Sequence, residues 1–308
     1  MIRRHFPVAW VAAALAACGA GEDTAPPPPT EVAFVTDRDG NYEIYLVDEA
    51  TGTTTNLTAH EATDYGFSWS PDGARIAFAS DRDGNEEIYV MDVPEGSAVR
   101  LTDHEARDGQ PSWSPDGGRI AFVSRRDSQR GEIYVMQTDG SGVRRLTTND
   151  RYEEVPSWSP DGTALAFGAL APAQEGAEPT LQIFRLDLGT GQEVQLTRLE
   201  GHNSAPRWAP DGASLIFYGQ VGEGFAGADI MTVAADGTDL RNLTADDAPD
   251  WQPDWADDGS RIVWARGPGD PLDLWTMNPD GSDRRPLVVA DGRDEQPHWR
   301  PRGAPGSR

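Results

Sequence analysis

The chain has 308 residues, 37% of them hydrophobic and 25% charged, which gives enough apolar material for a packed core and excludes wholesale disorder. Its formal net charge is −25, and all 26 basic residues are Arg. Such an acidic surface stays solvated, repels nucleic acid and anionic lipid, and attracts cations or a basic partner. The single cysteine, Cys18, excludes an internal disulfide, so packing alone must hold the fold.

The first residues read as an export signal. Arg3 and Arg4 give a positive start, and Val8 to Ala17 form an apolar run too short to span a bilayer. The run ends in Leu15-Ala16-Ala17-Cys18, which resembles a bacterial lipobox. That resemblance implies a signal peptide over 1–17, with lipid attached to Cys18. Gly19 rather than Asp follows the cysteine, which by the sorting pattern of such lipoproteins implies an outer-membrane anchor facing the periplasm, or display on the cell surface. Residues 18–30 are small, acidic and Pro-rich, and their four consecutive prolines suit an extended tether.

From residue 31 the chain repeats itself. Trp-Ser-Pro-Asp-Gly occurs at Trp69, Trp113 and Trp158, and recurs as WAPDG at Trp208, WADDG at Trp255 and WRPRG at Trp299. These six Trp lie 44 to 50 residues apart. Each phrase but the last precedes an apolar strand such as Ile76-Ala77-Phe78 or Ile120-Ala121-Phe122. A second strand follows, as in Glu87-Ile88-Tyr89-Val90, and a third ends in Leu-Thr, as at Leu101-Thr102. β-branched and aromatic residues favour strands at these places. In Ser-Pro-Asp-Gly, Pro presets the first corner of a turn and Gly accepts the left-handed conformation. Asp37 to Asn41 and Asp81 to Asn85 (DRDGN) read as further hairpin corners.

Four short strands with tight turns make an antiparallel sheet with two apolar faces. Radial stacking buries both faces and leaves only short edges, so the period predicts an all-β propeller of four-stranded blades. The first copy begins at Glu31-Val32-Ala33-Phe34, the strand that should follow a missing Trp phrase, and the last copy supplies only that phrase. Both termini then build one composite blade, giving six blades over residues 31–301 and leaving 302–308 as a disordered tail.

The phrases WSPDG, IAF, SDRDGN-x-EIYV and LT together resemble the TolB-type propeller repeat, related to WD-like repeats. The resemblance covers residues 31 to about 301. It implies a monomeric propeller that binds an envelope protein or polymer, without the separate N-terminal domain of TolB. Peptidases with similar propellers carry a hydrolase domain, for which no Gly-x-Ser-x-Gly phrase is found here.

Binding is expected at the channel mouth. Five residues before the six Trp stand Asp64, Asp108, Glu153, Asn203, Asp250 and Asp294. As a ring they would suit a hard cation such as calcium, or a Lys- or Arg-bearing partner. Asp and Asn are equally at home as local turn caps, and that reading stands beside the first. Three functions follow: a non-enzymatic envelope scaffold, a metal-assisted hydrolase or lyase working through the acids, and a carbohydrate-binding propeller using aromatics such as Tyr65 and Trp251. His60-Glu61 and His104-Glu105 repeat in phase without an HExxH phrase, and read as loop residues. The lengthened hairpins at 168–180 and 218–228 are further candidates for specificity.

Overall fold

A computed structural model describes residues 30–149, 151–172, 178–220, 227–269 and 271–303. Among these, 24 strands form six four-stranded antiparallel sheets. The Trp phrase closes the innermost strand of each: β4 (Asp64–Trp69), β8 (Asp108–Trp113), β12 (Glu153–Trp158), β16 (Asn203–Trp208), β20 (Asp250–Trp255) and β24 (Asp294–Trp299). The apolar strand that follows is second, as in β5 (Arg75–Ser80), and β6 (Glu87–Asp92) is third. The outermost strands are short, two residues in β7 (Val99–Arg100) and four at most in β23 (Arg285–Val288), which limits the exposed edge.

Closure follows the expected phase. In the composite blade the order is β24, β1 (Glu31–Thr36), β2 (Glu43–Asp48), β3 (Thr54–Asn56). Val32 pairs with Trp299 and Thr36 with Asp294. This blade buries both faces. Ala33, Val35 and Ile44 pack with Ile76 and Phe78 on one side, and Val32 and Phe34 pack with Val263 and Leu274 on the other. Phe34, Phe78, Phe122, Phe167 and Phe217 are wholly buried, each worth about 1.5–3 kcal/mol by apolar burial.

The turn after each Trp is built as its sequence requires. Gly73 N–H donates to the Ser70 carbonyl at 2.8 Å, and Asp72 accepts from Ala74 N–H at 3.1 Å. Gly73 sits at φ +66°, and a Cβ there would lie 2.1 Å from the Pro301 carbonyl oxygen. Blades are also riveted by arginine: Arg75 lies over the Trp113 ring of the next blade at 4.7 Å, and Arg300 over Trp69 at 5.3 Å.

Every blade carries a bulge between its two inner strands. It centres on Gly66, Gln110, Val155, Ala205, Gln252 and Gln296, all at positive φ between 49° and 55°. A bulge bends the strand and re-aims the side chains beyond it.

Arg302 belongs to the ordered propeller rather than to a tail, because its side chain is held by Asp257 and Asp258. Residues 304–308, the segment through Cys18 with the tether as far as residue 29, and hairpin positions 173–177 and 221–226 lie outside the described residues.

Candidate functional site

The six residues preceding the Trp phrases open the six innermost strands, as the period requires, but they do not present a ring of free carboxylates. Each is 0–1% exposed. Arg82 donates to both oxygens of Asp64 at 3.0 and 2.9 Å while lying over the Phe78 and Tyr89 rings. Arg126 holds Asp108 at 2.6 Å, and Arg38 holds Asp294 at 2.8 Å across the closure. Asp250 accepts from Arg266 at 3.0 Å and from the Trp264 indole at 2.7 Å. Glu153 accepts from Thr147 at 2.5 Å and Asn149 at 2.6 Å, and Asn203 donates to the Gly201 carbonyl at 2.9 Å. Arg38 and Arg82 are the arginines of the DRDGN corners, and Arg126 occupies the same repeat position. The physical reason is burial: a carboxylate taken out of water needs an internal partner.

Burial still outweighs those partners. It pushes Asp64, Asp108 and Asp294 above the usual carboxylate range, Asp250 up to about 6 and Glu153 up to about 7. Among the described residues no group of three or more His, Cys, Asp or Glu is placed to hold a metal ion, so the expected calcium ring is not assembled from these side chains. His60 and His104 are loop braces: each accepts on Nδ1 from a backbone N–H two residues on, at 3.0 Å. Trp251 donates its indole N–H to the Gly267 carbonyl at 3.2 Å and meets Tyr218 edge-on, whereas Tyr65 borders the channel.

The channel itself holds a cavity of about 360 Å³, lined by the innermost strands. Its polar inventory lies beyond the bulges. At the bulge level, the Gln110 side chain accepts from Val155 N–H at 2.9 Å, Gln252 from Gln296 N–H at 3.0 Å, and Gln296 from Gly66 N–H at 2.9 Å. Each glutamine clips its blade to the next. One level further, immediately before each Trp, stand Ser68, Ser112, Ser157, Arg207, Asp254 and His298.

Three of these side chains form a cluster. His298 Nδ1 lies 3.2 Å from Asp254 Oδ2, and Arg207 Nη2 lies 3.2 Å from His298 Nε2. A guanidinium only donates, so Nε2 accepts and the ring proton sits on Nδ1, facing Asp254. Burial, then the neighbouring Arg207 cation, hold His298 below its ordinary pKa, which keeps the imidazole neutral at pH 7. An Asp–His pair of this kind orients a general base in many hydrolases, but here the nitrogen that would take the proton is already capped by Arg207. Sequence reasoning missed the cluster. Its signal was a column of the repeat that reads Ser, Ser, Ser, Arg, Asp, His.

Comparison with known proteins extends this picture. The solved structure of TolB from Acinetobacter baumannii is 23% identical with a TM-score of 0.74, covering 88% of this chain and 66% of that one. A TolB-like structure from Agrobacterium tumefaciens is 22% identical with a TM-score of 0.71, covering 89% of this chain and 95% of that one. An oligogalacturonate lyase from Vibrio parahaemolyticus is more remote, 16% identical with a TM-score of 0.56, covering 86% of this chain and 74% of that one. These likenesses establish the propeller fold. No curated protein is matched by sequence. The profile of the TolB beta propeller domain matches residues 20–98, 68–174 and 174–305, and with that span the chain belongs to the TolB β-propeller family.

Proposed function

We propose that this protein is a non-enzymatic binding scaffold of the cell envelope, anchored by lipid on Cys18 and engaging a partner through its central channel. The observation that carries the reading is the channel: a cavity of about 360 Å³ with polar side chains at its waist and a rigid wall of six strand ends. Such a concave, preformed site suits binding. The imidazole of His298 is capped by Arg207, and Asp64 and Asp108 are buried and tied to arginines, so these groups are not free to act as general bases, which favours a scaffold over a hydrolase or lyase. Location at the envelope rests on the lipobox-like Leu15-Ala16-Ala17-Cys18 and the Pro-rich stretch after it.

Two experiments test this. Labelled palmitate should enter the wild-type chain and not Cys18→Ala; equal labelling removes the anchor. Affinity capture from envelope extract should recover a partner with the wild-type protein and lose it with Ser112→Phe, which fills the channel. A folded Ser112→Phe that retains the partner shows that binding lies elsewhere on the surface.

A further inference from the structure

The channel waist is chemically lopsided. The blades follow one another around the ring in chain order, so each waist residue faces the one three blades on. Ser68 is opposite Arg207, Ser112 opposite Asp254, and Ser157 opposite His298. One half of the waist is hydroxyl and the other is the Arg–Asp–His cluster.

Within that cluster the acid is held at one oxygen, and the cation keeps donors beyond the two it uses. Asp254 Oδ2 accepts from Trp299 N–H at 3.2 Å and faces His298 Nδ1 at 3.2 Å, while Oδ1 faces Arg207. Arg207 has five N–H donors. Nη1 donates to the Pro206 carbonyl at 3.2 Å and Nη2 to His298, while Nε stands 4.0 Å from Asp254 Oδ1. By contrast, the arginines that hold Asp64, Asp108 and Asp294 approach to 2.6–2.9 Å. Arg207 therefore keeps donor capacity at the cavity wall, with its side chain 20% exposed there. On the serine half of the waist, Ser112 and Ser157 also line the cavity.

We propose that the channel waist is a binding site for a small hydroxylated monocarboxylate, a hydroxy acid or sugar acid, with its carboxylate on Arg207 and its hydroxyls on Ser112 and Ser157. The inference rests on the reading of the channel as the binding site. A planar guanidinium matches a carboxylate and forms charge-assisted hydrogen bonds. With His298 neutral, Arg207 and Asp254 carry no net charge between them, so a monocarboxylate leaves one negative charge to be met by hydrogen bonds, whereas a phosphate dianion would leave two. The cavity volume admits a ligand the size of a monosaccharide.

The test is titration of the full-length protein with D-glucuronate, D-glucose and glucose 6-phosphate, followed by calorimetry and by the imidazole resonances of His298. Glucuronate should bind and shift the His298 signals while leaving those of His60 and His104, in the outer loops, in place. Glucose differs by a hydroxymethyl in place of the carboxylate and should bind at least about tenfold more weakly, the scale of one charged hydrogen bond. Arg207→Gln should weaken glucuronate by a similar factor, and Ser112→Ala with Ser157→Ala by less. The proposal is overturned if glucose or glucose 6-phosphate binds as well as glucuronate, if a folded Arg207→Gln binds it unchanged, or if neither glucuronate nor the smaller glycolate shifts His298. The last readout uses the wild-type chain and does not depend on a variant folding. A failed titration alongside channel-dependent partner capture removes only the carboxylate site; failure of both removes the channel as a binding site.

Discussion

Replacing Arg82 by Met tests whether the buried acids are structural ties. Asp64 is completely buried, and one guanidinium satisfies both of its oxygens. Removing one partner of a buried pair costs about 3–5 kcal/mol, because the other charge is left uncompensated. The Arg82 side chain is 16% exposed, so water entering from that side should hold the cost near the lower end. Loss of the stack on Phe78 and Tyr89 adds about 0.5–1 kcal/mol. The expected deficit is then about 4 kcal/mol, a large share of the roughly 5–15 kcal/mol typical of a folded domain. Urea unfolding at pH 7 measures it. The sign of its pH dependence is fixed by Asp64, whose pKa burial already raises in the native protein. Without Arg82 that pKa rises further. A raised carboxyl contributes most below its unfolded pKa and loses that contribution as pH climbs through the folded one, so the deficit should shrink on acidification from pH 7 to 5. Asp64→Asn/Arg82→Met should cost less than the two single changes together. A deficit below about 1 kcal/mol that ignores pH would refute the tie, since a buried unpaired carboxylate cannot be that cheap.

Two other outcomes follow from the same structure. Glu153 has its pKa lifted from 4.5 to about 7 by burial, so its contribution is greatest below pH 4.5 and is lost on the way to pH 7. At about 1.4 kcal/mol per unit, Glu153→Gln should gain up to about 3 kcal/mol over wild type at pH 8 and little near pH 4.5; parallel melting curves at both pH values would contradict it. Gly73→Ala and Gly52→Ala separate strain from collision. Gly52, at φ +70° with open space around it, should lose only about 1–2 kcal/mol, whereas Gly73→Ala adds a clash with the Pro301 carbonyl and should unfold at clearly lower urea. Equal midpoints would show that the segment after Trp299 is not packed against Gly73.

The propeller was legible because the same turn chemistry recurs in phase with Trp, and because a half-repeat at each end can only be completed by the other. The orientation of the six acids was not legible. A repeat gives the position of a residue along a strand, while the face it presents depends on the parity counted from Trp. The bulges at Gln110, Val155, Ala205, Gln252 and Gln296 shift that parity, and they place non-glycine residues at positive φ with no turn residue to announce them. The partners of the acids did leave a trace, since Arg82 and Arg126 stand at one offset from Asp64 and Asp108. The waist cluster left one too: Arg207, Asp254 and His298 break a column that begins as serine, and a repeat departs from itself most informatively where its copies meet.

The composite blade also sets a schedule for folding during synthesis. β1 is among the first segments of the propeller made, yet one of its two neighbours, β24, is made after every other strand. Until residue 299 has left the ribosome, β1 keeps an unpaired edge, and its Val32–Phe34 face and the facing flank of the fifth complete sheet stay open to solvent. A nascent arc is therefore sticky at both ends, and chaperone demand should peak just before the last Trp emerges.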